Sequence, residues 1–278
     1  MDDRNRPIPP LLCDWASGME LARPQAGETC VLRVDLDPRP ECDDLERLFQ
    51  WSVLSEAERA RASRFVRPRD GRRFAVCRGS LRLILGQLTN ASPQAVAFRF
   101  GPGGKPELAG PWPPGDAPLL RFNVTHSDDL ALIAVSLDRE LGVDLERLRT
   151  ISEAARIVES YFTAAEQAQF AALEEPVSAS AFLRGWTRKE AILKAKGVGL
   201  AGLATSSETM FGTTELTDKF SPAAPLPRIG EWWLWEASPR EGYFAALAVQ
   251  DVSRSGPNCL PPGFPPHDLW LHGKQGST

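Results

Sequence analysis

Apolar residues recur at two spacings along this chain, and the change of spacing marks its elements. Phe74, Cys77, Leu81, Ile84, Leu85 and Leu88 fall three and four apart and predict one helix with an apolar stripe. Gly86 lies inside that pattern; it costs about 1 kcal/mol relative to Ala and does not break it. Upstream, Leu54-Ser55-Glu56-Ala57-Glu58 reads as a helix start, with Ser55 as N-cap and Glu58 completing a capping box. The spacing then becomes two. Val96, Phe98 and Phe100 alternate up to a Gly101-Pro102-Gly103-Gly104 turn, residues 109–118 form a Gly/Pro-rich loop, and Phe122 and Val124 alternate up to Thr125-His126. Leu130 to Val135 is a short apolar strand and Leu141 to Glu146 another. The short turn between them predicts an antiparallel hairpin. Helical composition returns over 152–173 and over 178–196, the latter stopped by Gly197 and Gly199. Glu231 to Glu236 and Tyr243 to Val249, joined by Pro239-Arg240-Glu241-Gly242, predict a last hairpin. Residues 204–230 are a weakly patterned insertion. From 256 onward, five prolines without periodicity predict a flexible tail. Helices mixed with hairpins favour an α+β fold over a parallel α/β sheet.

Composition narrows the function classes. A chain of 278 residues, 42% hydrophobic and 24% charged, can bury a sizeable core and is not wholly disordered. A formal charge of −4 weighs against nucleic-acid binding over a broad face, which is ordinarily basic. Five cysteines without a C-x-x-C pair give neither a disulfide framework nor a zinc site, and fit a reducing cytoplasm. No apolar run approaches the roughly 18 residues of a membrane helix. The N-terminus, acidic and then proline-rich, is unlike a secretory signal. Charge is nevertheless uneven. Residues 1–58 carry 13 acidic and 6 basic side chains, whereas residues 59–82 carry nine Arg against Asp70 alone. Either something anionic meets this stretch, or it is a solvated helix face balancing the acidic segment before it.

Three segments carry candidate chemistry. In Gly142-Val143-Asp144-Leu145-Glu146 the strand period puts Asp144 and Glu146 on one face, where they repel unless a cation or proton lies between them. The ordinary fate of such a pair is a solvent-facing edge. In Trp186-Thr187-Arg188-Lys189-Glu190-Ala191-Ile192-Leu193-Lys194, residues 186, 190 and 194 form one helical stripe. Alone, Glu190 and Lys194 make an ordinary pair worth about 0.2–0.5 kcal/mol, which Trp186 partly shields from water. Phe122-Asn123-Val124-Thr125-His126-Ser127 sets a histidine beside two hydroxyls at a strand end, three donors that could grip a phosphate. Gly101-Pro102-Gly103-Gly104-Lys105 is not a P-loop, because Pro106 lacks the hydroxyl that motif needs after its Lys.

Taken in order, Gly104-Lys105-Pro106, Phe122-Asn123-x-Thr125-His126-Ser127, Gly142-x-Asp144-x-Glu146 and Trp186-Thr187-Arg188-Lys189-Glu190-Ala191-x-x-Lys194-x-x-Gly197 resemble the Sfp-type 4′-phosphopantetheinyl transferases. The resemblance runs from about Leu54 to about Val249. It implies an α+β fold of two similar halves related by a pseudo-twofold, each a small antiparallel sheet packed with a helix, with coenzyme A bound between them. The implied organisation is an N-terminal extension at 1–19, halves at 20–138 and 139–255, and the tail at 256–278. The implied reaction moves the phosphopantetheine arm of coenzyme A to a serine of a carrier protein and releases adenosine 3′,5′-bisphosphate.

The resemblance also assigns residues. Asp144, Glu146 and Glu190 would hold Mg2+, an all-oxygen set suited to a hard cation. Glu190, or a metal-bound water it orients, would be the base, and Lys194 would bind the pyrophosphate and the departing phosphate. Arg61, Arg73 and His126 would clamp the 3′-phosphate, with Lys105, Pro106 and Thr125 near the adenosine and its phosphates. Arg78 and Arg82 are either ligands or structural. Thr125 stands where many members have Ser, and Phe74 where some have a small hydroxylated residue. The protein partner would be an acyl or peptidyl carrier protein of fatty acid, polyketide or nonribosomal peptide synthesis. It would dock near Ile151 to Phe170, where Tyr161 and Phe162 offer apolar contact or simply pack in the core. The enzyme would be a cytoplasmic monomer that binds neither nucleic acid nor membrane. The competing classes are a metal-dependent nuclease or nucleic-acid-binding protein, and a non-catalytic coenzyme A sensor.

Overall fold

Two four-stranded sheets lie face to face, each backed by one long helix. The structure, a computed structural model, describes residues 8, 10–37, 50–109, 119–174, 177–199, 216–220 and 226–251. The first half holds β1 (Leu11–Asp14), β2 (Thr29–Asp35), α1 (Glu56–Ser63), α2 (Pro68–Thr89), a single 3-10 turn, β3 (Phe98–Phe100), β4 (Pro106–Leu108), β5 (Leu120–Ser127) and β6 (Leu130–Leu137). The second holds β7 (Leu141–Arg147), α3 (Ala154–Tyr161), α4 (Ala164–Ala171), α5 (Val177–Lys196), β8 (Leu226–Ile229), β9 (Trp232–Ala237) and β10 (Tyr243–Gln250). The sheet orders are β1-β2-β6-β5 and β7-β10-β9-β8, and β3 and β4 form a separate hairpin.

Side-chain alternation explains the layers. Of the predicted stripe of α2, Cys77, Leu81, Ile84, Leu85 and Leu88 pack on Leu32, Val34, Ile133 and Val135 of the first sheet, whereas Phe74 packs apart, against Leu54, Ala62 and Ala75. The other face of that sheet, Val31, Leu130, Leu132 and Ala134, meets Leu141, Val143, Leu145 and Leu247 of the second. Ala191, Ile192 and Ala195 of α5 then cover Leu234, Ala246 and Ala248 on the outside of the second sheet. Strand β6 is therefore buried on both faces along its whole length.

Three expectations change. The hairpin foreseen between Leu130–Val135 and Leu141–Glu146 does not form. Both edges of β6 are already bonded, to β2 and to β5, so β7 leaves at Asp138 and pairs with β10 instead. The stretch 152–173 is two helices rather than one. Thr163 accepts from the Glu166 amide while the Glu166 carboxylate accepts from the Thr163 amide, a second capping box that starts α4 anew. Residues 11–14, expected to lie in an extension, form β1, which runs parallel to β2 in an otherwise antiparallel sheet. The 109–118 loop from residue 110, most of the 204–230 insertion and the tail lie outside the described residues, although Leu226–Ile229 pairs with β9 as β8.

Helix α5 lies unusually close to β7, and Gly142 allows it. A Cβ there would stand 2.1 Å from the Ala191 carbonyl oxygen and 2.3 Å from the Ala195 amide nitrogen. Buried ion pairs fix the same helix. Arg184 and Arg188 reach Glu236 of β9 at 2.9 and 2.5 Å, and Lys189 reaches Glu166 of α4 at 3.1 Å.

Glu58 shows how the arginines of 59–82 are used. Its carboxylate closes the capping box with Ser55 and also takes Arg78 at 2.5 Å and Arg82 at 2.6 Å. Burial alone would raise its pKa, but Arg82, the Ser55 amide and Arg78 together hold it down at about 2. A depressed folded pKa gives stability that is present above the unfolded pKa and lost as pH falls through the folded one. Glu58→Gln is therefore expected to cost about 2–3 kcal/mol at neutral pH. In urea titrations, the gap between variant and parent should close as pH falls from about 5 toward about 2.

Candidate active site

Strands β5 and β7 are outer strands of different sheets, and they run side by side. Side chains, not backbone ladders, join them. Asn123 Oδ1 accepts the Val143 amide at 2.9 Å, Thr125 Oγ1 lies 3.2 Å from Asp144 Oδ1, and Ser127 Oγ lies 3.1 Å from Glu146 Oε2. Opposite them, Lys194 of α5 places its ammonium 2.6 Å from Asp144 Oδ1 and 3.1 Å from Thr125 Oγ1. Asp144 is 5% exposed, and its Oδ2 is buried without a hydrogen-bond partner. The Asp144–Glu146 face is thus turned to α5, not to open solvent.

The carboxylates feel one another. Burial raises the pKa of Asp144, and Lys194 offsets only part of that. Burial also raises Glu190, the negative charge of Asp144 adds to the rise, Lys194 opposes it, and Glu146 contributes further. Like charges converge here around one lysine. Among the described residues, however, no three His, Cys, Asp or Glu side chains stand at metal-ligand spacing. Asp144, Glu146 and Glu190 are neighbours that are not drawn into a closed ligand set. Glu190 and Lys194 line a cleft of about 260 Å³ together with Pro106, Asn123, Gly103 and Gly197.

The Thr125-His126-Ser127 triplet does not act as one phosphate grip. Strand alternation sends Thr125 and Ser127 toward β7 and His126 the other way, toward α2. Desolvation lowers the His126 pKa first, and the cations Lys194, Arg61 and Arg73 lower it further. His126, Arg61 and Arg73 lie on one side of the site, and Lys194 stands with the acids. Arg61 is exposed and rests on the Phe74 ring at 5.0 Å, so the departure at position 74 gives that guanidinium a seat. Arg73 lies between Asp37 and Asp128, each at 2.5 Å. Arg78 and Arg82 are structural partners of Glu58.

Comparisons with known proteins agree with this geometry. A family model described as the 4′-phosphopantetheinyl transferase superfamily matches residues 140–238, and one described as 4′-phosphopantetheinyl transferase, N-terminal, matches residues 39–138. The 4′-phosphopantetheinyl transferase HetI of a Nostoc species is 36% identical over 223 residues, covering 80% of this chain and 87% of that protein. The chain belongs to the 4′-phosphopantetheinyl transferase superfamily. More distant relatives include the 4′-phosphopantetheinyl transferase AcpT of Escherichia coli, 33% identical over 54% of this chain and 71% of that one. The L-aminoadipate-semialdehyde dehydrogenase-phosphopantetheinyl transferase of Xenopus laevis is 28% identical over 56% of this chain and 53% of that one.

Lys105 lines the same cleft, and its ammonium is held by the protein itself. Lys105 Nζ reaches Glu140 Oε2 at 2.8 Å, the Leu141 carbonyl at 3.0 Å and the Ala195 carbonyl at 3.0 Å. An ammonium has three donors, so none is left for a phosphate. Lys105 instead ties the β3–β4 hairpin to the start of β7 and caps the end of α5. Pro106 follows it into the cleft wall. In the region expected to meet a carrier protein, the two aromatics divide. Phe162 is buried against Phe182, and Tyr161 is 43% exposed beside Trp186. Sequence reasoning missed Asn123 and Ser127 as ties to β7. Their signal was polar residues at every second position of a strand whose other positions are apolar up to His126.

Lys105→Met should lower stability by about 1–3 kcal/mol, because three charge-assisted bonds are lost. Denaturant midpoints would show it. A variant as stable as the parent, with a raised KM for coenzyme A, would instead make Lys105 a phosphate ligand.

Proposed function

We propose that this transferase moves the phosphopantetheine arm of coenzyme A to a serine of an acyl or peptidyl carrier protein, with Mg2+ held by Asp144, Glu146 and Glu190. Asp144 carries the reading. One of its oxygens is tied to Thr125 and Lys194, while the other is buried, unpartnered and flanked by two more acids. The donor set is all oxygen, as a hard cation needs, and holds no Cys or His that would recruit zinc. Binding requires the three carboxylates to draw closer than they stand. When bound, the ion offsets charge that grows on the pyrophosphate.

The chain's own groups do the rest. The carrier serine oxygen attacks the phosphorus bearing pantetheine, and the bond to the bridging oxygen of adenosine 3′,5′-bisphosphate breaks. Glu190, or a water it orients, takes the serine proton, a task suited to a carboxylate whose pKa is raised. Lys194 stabilises the departing phosphate. Arg61, Arg73 and His126 receive the 3′-phosphate, and an incoming anion reverses the field that now disfavours protonated His126. Thr125 and Pro106 face the adenosine side of the cleft. The carrier would dock on the groove of about 480 Å³ lined by Ile151, Val158, Phe170 and Leu173. Arg156, on the helix whose Ala155 and Val158 line this groove, is more than half exposed and suits an acidic partner. We read the enzyme as a cytoplasmic monomer. Among the described residues no helix is long and apolar enough to cross a membrane.

The test is direct. Apo carrier protein incubated with coenzyme A should gain the mass of one phosphopantetheine only when magnesium is supplied. Glu190→Gln should fold normally and lower kcat by about 10²–10⁴. Full activity in that variant, or transfer indifferent to divalent metal, would overturn the assignment.

A further inference from the structure

The Asn123-to-Ser127 segment holds two polar residues that the proposed chemistry leaves unused. Asn123 is 3% exposed and gives its carbonyl oxygen to the Val143 amide at 2.9 Å. Ser127 Oγ accepts the Arg147 amide at 3.1 Å and lies 3.1 Å from Glu146 Oε2. A hydroxyl has one proton to donate. With a lone pair already facing an N–H, that proton is directed at Glu146 Oε2. Arg149 Nη1 meets the same oxygen at 2.6 Å. Glu146 therefore has Oε2 held by two donors, while its Oε1 takes no hydrogen bond from the described residues. Asp144 repeats the pattern. Its Oδ1 is held by Thr125 and Lys194, and its Oδ2 is unpartnered. The repetition follows from the strand period of two, which sets hydroxyls at 125 and 127 against carboxylates at 144 and 146.

We propose that Ser127 is a positioning residue. It holds Glu146 by one oxygen so that the other is left to meet a divalent cation. Asn123 locks the register in which hydroxyls and carboxylates face each other. This rests on reading Asp144, Glu146 and Glu190 as the cation's carboxylates. Ser127 itself touches neither cation nor coenzyme, so its loss should weaken cation binding while sparing coenzyme A. Partners that orient a metal ligand typically contribute 10–100-fold in affinity, which sets the scale.

The experiment titrates Mn2+ into the full chain without coenzyme, reading free Mn2+ by electron paramagnetic resonance. Parent, Ser127→Ala, Ser127→Thr and Glu146→Ala are compared, with circular dichroism confirming that each is folded. Ser127→Ala should bind Mn2+ roughly 10–100-fold more weakly, and Ser127→Thr, which keeps the hydroxyl, should return close to the parent. In steady state, Ser127→Ala should raise the magnesium concentration for half-maximal rate by a similar factor, with KM for coenzyme A changed by no more than about twofold. If Glu146→Ala loses Mn2+ while Ser127→Ala binds it like the parent, the positioning role is overturned and the carboxylate reading stands. If Glu146→Ala itself binds Mn2+ like the parent, the carboxylate reading fails first. Equal loss in Ser127→Ala and Ser127→Thr, with a raised KM for coenzyme A, would make the residue merely structural and overturn the proposal.

Discussion

A carboxylate taken out of water needs a cation, a proton or hydrogen-bond donors, and β7 places one such group with two other acids around it. The neighbouring architecture answers that constraint. Lys194 and Thr125 hold one oxygen of Asp144, and Lys194 can reach it only because α5 rests directly on β7. That approach depends on Gly142, where any side chain would run into the helix backbone. A single methyl group at position 142 would thus act on the charge balance of the site two residues along the strand.

Helix α5 carries its own version of the same constraint. Arg184, Arg188 and Lys189 are buried, and each is matched by an acid from another element, Glu236 on β9 or Glu166 on α4. Breaking such a pair leaves a buried charge alone, at a cost of about 3–5 kcal/mol. The helix's apolar contacts to the sheet come from Ala191, Ile192 and Ala195, and the two alanines are small and specify position weakly. The ion pairs supply what those alanines do not, a defined rotation and height for the helix. Glu190 and Lys194 inherit that definition.

The legible part of this molecule was whatever a local pattern could carry. The stripe of α2, the box at Ser55 and Glu58, the last hairpin and the end of α5 at Gly197 all depend on neighbours within a few residues. Other features depend on residues distant in the chain. Strand β6 pairs on one edge with its sequence neighbour β5 and on the other with β2, far back in the chain, which leaves no edge for β7. The three acceptors that hold Lys105 come from residues 140, 141 and 195, beyond the reach of any local pattern. The break in the stretch 152–173 was local and readable, since Thr163 and Glu166 have capping-box spacing. Helical composition on both sides concealed it.

The site residues show that neighbours in an ordered motif need not be neighbours in space. Thr125, His126 and Ser127 are contiguous in sequence, which suggests a common task. An extended strand turns neighbours to opposite faces, so contiguity there means separation. His126 joins Arg61 and Arg73 on the side facing α2, whereas Thr125 and Ser127 serve the acids of β7. One strand end thereby connects a cationic surface in the first half with a carboxylate surface in the second. The nucleotide and divalent ion proposed above would need both surfaces at a fixed separation. A single strand with polar residues on both faces supplies that separation by its own thickness.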